Sequence, residues 1–299
     1  MTLDHRGFAV LVACVTHGSF GRAAAALNMT QPAVTRMVRR METQLGVPLF
    51  ERGSTGVIPT IYARGLLPYA DTVVAEIGNA IDLLQELKGA SRGTVRIGGV
   101  ASATNGLVVE AVARVRAHAP SLQYLIVEEI EDKLIAELKA GTIDLVVSPG
   151  PIVDDEITLA CEESVADEVQ VFARPDHPVF GRGPVTLETV NAHDWALPPS
   201  DTPVTREWRR RFHVAGLEPR PPCVSSRSVK TLIRLAALTD LLCWMPIQLV
   251  AAETDRGSLL PADVPDLSWH RMFRIYRRRR GVLAPAAVQF LEQVRQIAA

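Results

Sequence analysis

Residues 19–36, which read SFGRAAAALNMTQPAVTR, predict two short helices joined by a tight turn. Ser19 is placed to cap the first helix, because its hydroxyl can accept a hydrogen bond from an otherwise unpaired backbone N–H. Thr30 is placed to cap the second helix in the same way. Pro32 lies just inside that helix, where a missing N–H costs little. The stretch therefore predicts a helix, a turn and a second helix with a well-defined start.

The second helix combines an apolar stripe with a polar, basic face. The stripe has the spacing of one helix side and consists of Val34, Val38, Met41 and Leu45. Off the stripe lie Gln31, Thr35, Arg36, Arg39 and Arg40. In a DNA major groove Gln can pair with adenine and Arg with guanine, while Thr can reach base edges or a phosphate. Spacing alone leaves an ordinary solvated surface helix as the alternative.

A longer pattern surrounds this stretch. It comprises GSF at 18–20, AA at 23–24, Leu27, TQPAVT at 30–35, LGVPLFER at 45–52 and Thr60. In content and order it resembles the winged helix-turn-helix of LysR-type transcriptional regulators, and the match covers most of the first sixty residues. We expect base contacts from Gln31, Thr35 and Arg36 and phosphate contacts from Arg39 and Arg40. The wider set of predicted DNA-binding residues adds Thr30, Pro32 and Arg52.

Composition and charge fit a DNA-binding head on a larger body. The chain has 299 residues, 47% hydrophobic and 22% charged, as in a folded soluble protein of two or three domains. Its formal net charge of −1 gives no sign of a nucleic-acid partner. Residues 1–60, however, contain six arginines against three acidic residues. A basic head favours DNA binding, since phosphate neutralisation supplies much of the affinity.

Cysteine spacing and the amino terminus argue against several classes of protein. The four cysteines are far apart and form no CxxC pair, so we expect free thiols, with no metal site and no cofactor. A redox-sensing pair of cysteines remains an alternative to free thiols. The first residues lack the pattern of a signal peptide. No apolar stretch reaches the roughly 18 to 20 residues that span a bilayer. We expect a cytoplasmic protein without membrane contact.

Residues 46–60 predict a wing. Gly46 ends the recognition helix, and residues 53–56 (GSTG) predict a hairpin tip between two short extended segments. Arg52 at the base of the hairpin can contact a phosphate or pair with a neighbouring carboxylate. LysR-type wings often carry a basic residue at the tip, where this chain has Thr55, so reading of the minor groove is not implied.

A heptad pattern follows the wing. Apolar residues alternate between spacings of four and three along Leu66, Ala70, Val73, Ile77, Ala80, Leu84 and Leu87. This 3.5-residue period is typical of a seam between two helices. Pro68 removes one helical hydrogen bond and predicts a kink or a delayed start of the regular helix. An intramolecular core helix is the alternative, but LysR-type regulators dimerise through a linker helix at this place.

After Gly93 the sequence pattern changes and predicts alternating strands and helices. Residues 94–99, 122–127 and 144–147 predict strands, and residues 107–117 and 132–139 predict helices, which together form a parallel α/β unit. A second such region runs from about Val169 to Pro246, with a helix from Val229 to Leu238. The last segment predicts one more amphipathic helix.

These two α/β regions resemble the effector domain of the same family, which is built like a type-2 periplasmic binding protein. The expected fold class is therefore α/β, with an α-rich winged helix-turn-helix head at 1–60, a linker and dimerisation helix at 61–90 and a two-lobed effector domain at 91–299. Lobe 1 comprises about 91–163 and 271–299, and lobe 2 about 164–270. The outward crossing between lobes is expected near 162–167 and the return near 269–274.

Effector contacts are expected in the cleft between the lobes. Hydroxyls and backbone N–H groups at a helix start favour an anion such as a carboxylate. We expect Ser102 and Thr104 to line the cleft from lobe 1, and Thr202 and Ser226 from lobe 2. The alternative is that these residues are plain N-caps, which is the favoured role of Ser228.

Two segments depart from simple expectations. Family members often have glycines before the Pro that follows the second-lobe helix, where this chain has LTDLLCWMP at 238–246. No effector can therefore be carried over from the family. The run Arg277 to Arg280 could suggest a nucleic-acid tail, but a solvated return strand or a tetramer contact is favoured by its place before the last helix.

The sequence thus favours a transcription regulator over three alternatives. A solute-binding protein would need an export signal, and an enzyme would need a nucleophile–base pair, metal-ligand spacing or a phosphate-binding loop. In an architectural DNA-binding protein, the roughly two hundred residues of the α/β lobes would have no evident function. The resemblance implies as partners a double-stranded DNA operator, a small effector and other copies of the chain, arranged as a dimer of dimers.

Overall fold

A computed structural model describes residues 4–53, 56–87, 93–181 and 183–299. The described chain begins with three helices, α1 (His5–His17), α2 (Phe20–Ala26) and α3 (Gln31–Leu45). A two-stranded antiparallel wing follows, β1 (Phe50–Gly53) and β2 (Gly56–Pro59). The long helix α4 (Ile61–Leu87) then leads away from the head. The predicted helix-turn-helix and the hairpin strands of the wing are confirmed.

The two predicted hydroxyl caps at the helix starts are wrong. Ser19 and Thr30 occupy the N-cap positions of α2 and α3, but neither side chain hydrogen bonds to the helix start. Backbone bonds close both first turns instead, from Ala23 N to Ser19 O at 2.9 Å and from Val34 N to Thr30 O at 3.1 Å. Asp4 does cap α1, since its carboxylate accepts from Gly7 N at 2.8 Å. Gly46 ends α3 in the left-handed conformation, as its position predicts.

Helix α4 packs against two different parts of the molecule. Its first half carries Ala63 and Ala70, both fully buried in a core shared with Leu11, Met41 and Leu49 of the head. The heptad residue Leu66 packs onto the same core. This end of the predicted seam is therefore intramolecular, because α1 covers it. The helix runs through Pro68 without interruption, so the predicted delay of its start is wrong.

The second half of α4 contacts the first α/β lobe through polar groups. Glu76 pairs with Arg278, and Asp82 pairs with Arg96 at 3.1 Å. The Asn79 side chain donates to Gly141 O at 3.3 Å. The opposite side of this half remains apolar and exposed, with exposed fractions of 38% to 57% at Ile77, Ile81 and Leu84. The side chain of Leu87, the last heptad residue, lies outside the described residues.

The first α/β lobe is built on a mixed sheet. Strand β3 (Thr94–Gly99) pairs in parallel with β4 (Gln123–Glu128) and β5 (Leu145–Ser148). The helical segments are α5 (Ala101–Ala103), a π-helical turn (Thr104–Val108), α6 (Val109–His118) and α7 (Glu131–Ala140). The helix after β3 thus begins about six residues earlier than its apolar pattern predicts. The short strand β6 (Ile157–Leu159) completes this part of the chain.

Two long strands connect the lobes. The chain leaves the first lobe along β7 (Val165–Ala173) and returns along β12 (Trp269–Arg278), and the two strands pair antiparallel with Asp167 opposite Arg271. Beyond that pairing, β12 continues beside β5 and β6 of the first lobe. The final helix α12 (Pro285–Ala298) buries Phe290, Leu291 and Val294 in the core of that lobe.

The second lobe lies between these crossing strands. Its strands are β8 (Asp194–Leu197), β9 (Val224–Ser225), β10 (Leu241–Pro246) and β11 (Leu260–Ala262). Its helices are α8 (Leu187–Asn191), α9 (Pro203–Val214), α10 (Val229–Leu238) and α11 (Ile247–Asp255), with short 3₁₀ turns at Pro178–Phe180 and Pro265–Leu267. The core is rich in aromatic residues, with Trp195, Trp208 and Phe212 in mutual contact. Helix α9 packs into this core, whereas α10 packs into a second cluster with Phe172 and Cys243.

Candidate DNA-binding face and effector cleft

Helix α3 is held in the head by one buried side. Val34, Val38 and Met41 are at most 3% exposed, and they pack against residues of α1 and α2. Leu45, the last residue of the predicted stripe, is only half-buried at the end of the helix. Burial of these apolar side chains fixes the rotation of α3 about its axis. The polar face predicted from the sequence therefore points away from the core.

That polar face is largely exposed. Thr30, Gln31, Pro32, Arg36, Arg39 and Arg40 are exposed, whereas Thr35 is half-buried. Among the described side chains, no carboxylate lies in salt-bridge range of the three arginines. These guanidinium groups are consequently available for phosphate oxygens or base edges, which accept hydrogen bonds in the geometry that Arg donates.

The wing is fastened to the recognition helix. Glu42 of α3 accepts hydrogen bonds from the backbone N–H of Leu49 at 2.8 Å and of Phe50 at 3.3 Å. Arg52 lies in β1, but its side chain is outside the described residues, as is the wing-tip residue Thr55. The predicted phosphate contact of Arg52 stays a prediction. The base of the wing is nevertheless fixed relative to α3.

A close backbone approach holds the other wing strand. Val57 N donates to Gly18 O at 3.0 Å. Gly56 adopts a φ of +150°, and a Cβ atom at this position would lie 2.2 Å from Gly18 O. Only glycine fits so close to another backbone. The base of the wing is therefore joined to both the α1–α2 turn and α3.

On the effector side, Ser102 joins a buried charged pair. Its hydroxyl accepts from Arg271 Nη2 at 3.3 Å, and the residue is 3% exposed. Arg271 in turn forms a salt bridge with Asp167, and their side chains are 6% and 0% exposed. Burial raises the pKa of Asp167, and the opposing charge of Arg271 lowers it again in part. The guanidinium also lies 4.8 Å from the ring centre of Trp269.

This arrangement was not anticipated from the sequence. Asp167 and Arg271 are 104 residues apart in the chain and meet only because β7 pairs with β12. Among the described residues, Asp167 Oδ1 and Arg271 Nε have no hydrogen-bond partner. The pair therefore lies at the point where the chain crosses between lobes, directly beneath a predicted effector residue.

Thr104 is also engaged within lobe 1. Its hydroxyl donates to Glu128 Oε2 at 2.9 Å, and the Asn105 side chain donates to the same oxygen at 3.2 Å. Glu128 ends β4, so a carboxylate from the neighbouring strand reaches the helix start that follows β3. Sequence reasoning missed this residue, although acidic side chains at the carboxyl end of a parallel strand are a usable signal.

The lobe 2 candidates form local hydrogen bonds. Thr202 caps α9 by accepting from Thr205 N at 3.4 Å, and its hydroxyl donates to Pro199 O at 2.8 Å. Ser226 Oγ accepts from Ser228 N at 3.1 Å, and Ser228 caps α10 as expected. Arg227 pairs with Asp201 at 2.7 Å. The N-cap alternative therefore describes what Thr202 does in this structure.

The two lobes approach each other at two places. The pKa of Glu129 is lowered chiefly by its hydrogen bond with Lys133 and in smaller part by the charge of Arg227 from the other lobe. Gln248 of α11 lies against Gly106, where a Cβ atom would be 3.1 Å from Gln248 Cγ. Gln248 Oε1 is buried without a partner among the described residues. No hydrogen bond in this part of the chain joins Ser102 or Thr104 to Thr202 or Ser226.

The described ranges contain neither a metal cluster nor a membrane-spanning helix. No group of three or more His, Cys, Asp or Glu side chains in these ranges could hold a metal ion. Of the helices described, none is both long and apolar enough to cross a bilayer. Three of the cysteines, Cys14, Cys161 and Cys243, are buried free thiols, and Cys223 is an exposed one.

Two family sequence profiles match the chain. The profile described as "Bacterial regulatory helix-turn-helix protein, lysR family" matches residues 5–64, and "LysR substrate binding domain" matches residues 88–299. The two matches lie on either side of the second half of α4.

Curated relatives match over nearly the whole chain. The HTH-type transcriptional regulator GbpR of Rhizobium radiobacter is 29% identical over 290 residues, which is 94% of this chain and 95% of the relative. The RuBisCO operon transcriptional regulator of Allochromatium vinosum is 27% identical over 296 residues, covering 98% of this chain and 96% of the relative.

Solved structures share the fold. CbnR, a LysR family transcriptional regulator, superposes with a TM-score of 0.73 at 18% identity, over 99% of this chain and 100% of that chain. Full-length CbnR complexed with its target DNA also gives a TM-score of 0.73 at 18% identity, over 98% and 99% of the two chains. A full-length OxyR variant from Pseudomonas aeruginosa gives 0.72 at 20% identity, over 99% and 95%. At these identities the likeness shows the fold.

Proposed function

Because the chain belongs to the LysR family of bacterial transcriptional regulators, we propose that it binds a specific double-stranded DNA operator through α3 and responds to a small effector held between its two lobes. The chain is a regulator rather than an enzyme, as its family and its curated relatives are. The observation that carries the proposal is the exposed, internally unpartnered polar face of α3. Among solved relatives, CbnR has been captured with its target DNA, which supports the same use of this fold here.

Within the recognition helix the roles follow from position. Gln31, Thr35 and Arg36 lie on the first two turns of α3, the part of a recognition helix that enters the groove. They are proposed to read bases. Arg39 and Arg40 lie further along the helix and are proposed to bind phosphates, with Arg52 of the wing. Thr30 and Pro32 set the start of the helix against the DNA backbone.

The proposed effector site is the cleft above the crossing strands. Ser102 and Thr104 would contribute from lobe 1, and Thr202 and Ser226 from lobe 2. Each hydroxyl already has a partner within the chain, so an effector must replace hydrogen bonds rather than meet free groups. The proposed anionic character of the effector rests on the helix start that follows β3, because Asp167 already balances the charge of Arg271 and Glu128 holds the hydroxyl of Thr104.

The proposed assembly is a homo-oligomer, a dimer of dimers. It is supported by the exposed apolar side of α4 at Ile77, Ile81 and Leu84. The proposed organisation is a DNA-binding head at 1–60, a linker and dimerisation helix at 61–90 and an effector domain at 91–299. Within the effector domain, lobe 1 comprises about 91–163 and 271–299 and lobe 2 about 164–270. Pairing of two chains would place two recognition helices about one DNA turn apart, roughly 34 Å, on an inverted repeat.

The DNA-binding proposal is tested on an operator selected in vitro from random duplexes. Arg36→Ala is expected to weaken operator binding by about 1–3 kcal/mol and to relax specificity at one base pair. Gln31→Ala is expected to act similarly at an adjacent position. The readout is fluorescence anisotropy across operator variants, with unfolding measured by circular dichroism to show that the fold is intact.

Arg234→Ala serves as the matched control. Arg234 is also an exposed arginine on a helix, but it lies on α10 in the second lobe. Its removal is expected to leave operator affinity unchanged. Wild-type affinity and footprint in both the Gln31 and Arg36 variants would overturn the assignment of α3 as the reading helix.

A further inference from the structure

A cavity of about 60 Å³ lies where the linker helix meets lobe 1. We call it the junction cavity, and its charged lining consists of Asp82, Arg96, Asp144, Arg277, Arg278 and Arg280. Asp82 comes from α4, Arg96 from β3, and the last three arginines from the end of β12 and the loop before α12. The cavity shares no lining residue with the predicted effector site, and the proposed function assigns it no role.

The two carboxylates of the cavity already contact an arginine. Asp82 pairs with Arg96 at 3.1 Å. Asp144 lies 3.9 Å from the same guanidinium and also accepts from Arg96 N at 2.8 Å. Arg278 is engaged with Glu76 of α4, and burial lowers the pKa of its guanidinium. One carboxylate from the linker and one from lobe 1 are thus held by a single arginine.

Two arginines of the cavity remain without a negative partner. Among the described side chains, no carboxylate is in salt-bridge range of Arg277 or Arg280. Arg277 Nη1 donates to Arg278 O at 3.0 Å, which leaves the rest of its guanidinium for another acceptor. Arg279 differs, because it donates to Asp155 O at 2.9 Å and to Ile157 O at 3.3 Å. Within the run 277–280, Arg279 therefore binds backbone carbonyls, whereas Arg277 and Arg280 line the cavity as positive groups.

The shape and potential of the cavity suit a small tetrahedral anion. Guanidinium groups match the oxygen spacing of phosphate through parallel hydrogen bonds. Ala284, at the amino end of the 14-residue helix α12, also lines the cavity, and the helix dipole adds positive potential there. The cavity of about 60 Å³ is partly open to solvent, so a phosphate group can enter it with any attached remainder outside.

We propose that the junction cavity binds a phosphate group through Arg277 and Arg280, as a second ligand site separate from the effector cleft. The group could be inorganic phosphate or the terminal phosphate of a small metabolite whose remainder projects into solvent. In either case the recognised chemistry is a dianion seated between the linker helix and lobe 1.

The test measures phosphate binding to the full-length protein by titration calorimetry, in the absence of DNA. Wild type is expected to bind inorganic phosphate saturably, and the R277Q/R280Q variant to bind it at least about tenfold more weakly. The control R234Q removes an exposed arginine outside the cavity and is expected to keep wild-type affinity. Circular dichroism and operator binding show whether each variant is folded.

Parallel titrations distinguish the source of the phosphate. A sugar monophosphate is compared with inorganic phosphate and with the same sugar lacking the phosphate. Binding of both phosphates assigns the site to the free anion, and binding of the sugar phosphate alone assigns it to an organic phosphate, each lost in R277Q/R280Q. Absence of saturable binding by either compound, or binding that the double variant retains, overturns the proposal. A folded double variant with weakened operator binding in phosphate-free buffer would instead make these arginines DNA contacts.

Discussion

The recognition helix and the effector cleft differ in what their polar side chains touch. On α3, Gln31, Arg36, Arg39 and Arg40 are exposed and have no described partner within the chain. In the cleft, Ser102 and Thr104 are at most 5% exposed and are bonded to Arg271 and Glu128. The head thus presents a preformed polar surface, whereas the hydroxyls of Ser102 and Thr104 in the cleft are already hydrogen-bonded within the chain.

This difference bears on how each site binds. DNA can meet the head without any internal hydrogen bond being broken, so binding depends on charge and shape. An effector bound at the proposed cleft residues would displace internal partners, and the free energy of its binding would be reduced by the bonds it replaces. Such an exchange is what allows a ligand to favour one arrangement of the lobes over another.

The largest effect is expected at the buried charged pair beneath the cleft. Arg271→Ala leaves the Asp167 carboxylate buried without its partner, and this should lower the free energy of unfolding by about 3–5 kcal/mol. Urea denaturation of the full-length protein, followed by tryptophan fluorescence, measures the change. If the cleft residues are as engaged as the structure indicates, this effector-side substitution destabilises far more than any on the exposed polar face of α3.

The double variant D167L/R271M provides the comparison for that loss. It removes both charges and keeps apolar volume, so most of the lost stability should return. If the single variant Arg271→Ala were as stable as wild type, the charged pair would have to be solvated. The head and the cleft would then no longer differ in how their polar side chains are engaged.

The second effect concerns the helix that joins the two regions. Ile77→Lys places a charge on the exposed apolar side of α4, which should weaken chain association by about 2–3 kcal/mol if that side forms the dimer seam. Sedimentation velocity over a range of concentrations measures the association. Leu260→Lys, at a residue that is also apolar and 39% exposed but lies in the second lobe, is the control. An unchanged sedimentation profile for Ile77→Lys would contradict the seam.

The smallest effect is expected on the outer part of the recognition helix. Arg39→Ala should leave the free energy of unfolding within about 0.5 kcal/mol of wild type, because the side chain is exposed and unpartnered. Its removal should reduce the slope of log affinity against log salt concentration by about 1, similarly on every DNA sequence. A loss confined to one operator sequence would assign Arg39 to base reading instead.

The head could be predicted from sequence because its determinants are local. The apolar stripe of Val34, Val38 and Met41 lies within one helix and fixes which side of α3 is buried. The wing tip and the Arg52 side chain are not described, so their roles stay predictions. The two hydroxyl caps were wrong because backbone bonds alone close the first turns of α2 and α3.

The cleft could be predicted only in part. The strand and helix order placed Ser102 and Thr104 at a helix start, but their partners come from distant segments. Asp167 and Arg271 become neighbours through strand pairing, and Glu128 reaches Thr104 from the next strand. The heptad in α4 was partly misread for the same reason, because α1 covers its first positions in space. A periodic pattern shows that a face is apolar but does not identify what covers it.

Helix α4 is built into the head at one end and held by lobe 1 at the other. Its 27 residues make it about 40 Å long. A tilt of about 7° at the Glu76–Arg278 and Asp82–Arg96 contacts would move the far end of the helix, about 27 Å away, by about 3.3 Å, close to the rise of one base pair. In mechanical terms the linker is a lever whose short arm lies on the lobe and whose long arm carries the reading helix. A change too small to alter the fold of lobe 1 can therefore decide whether two heads stay in register with their half-sites.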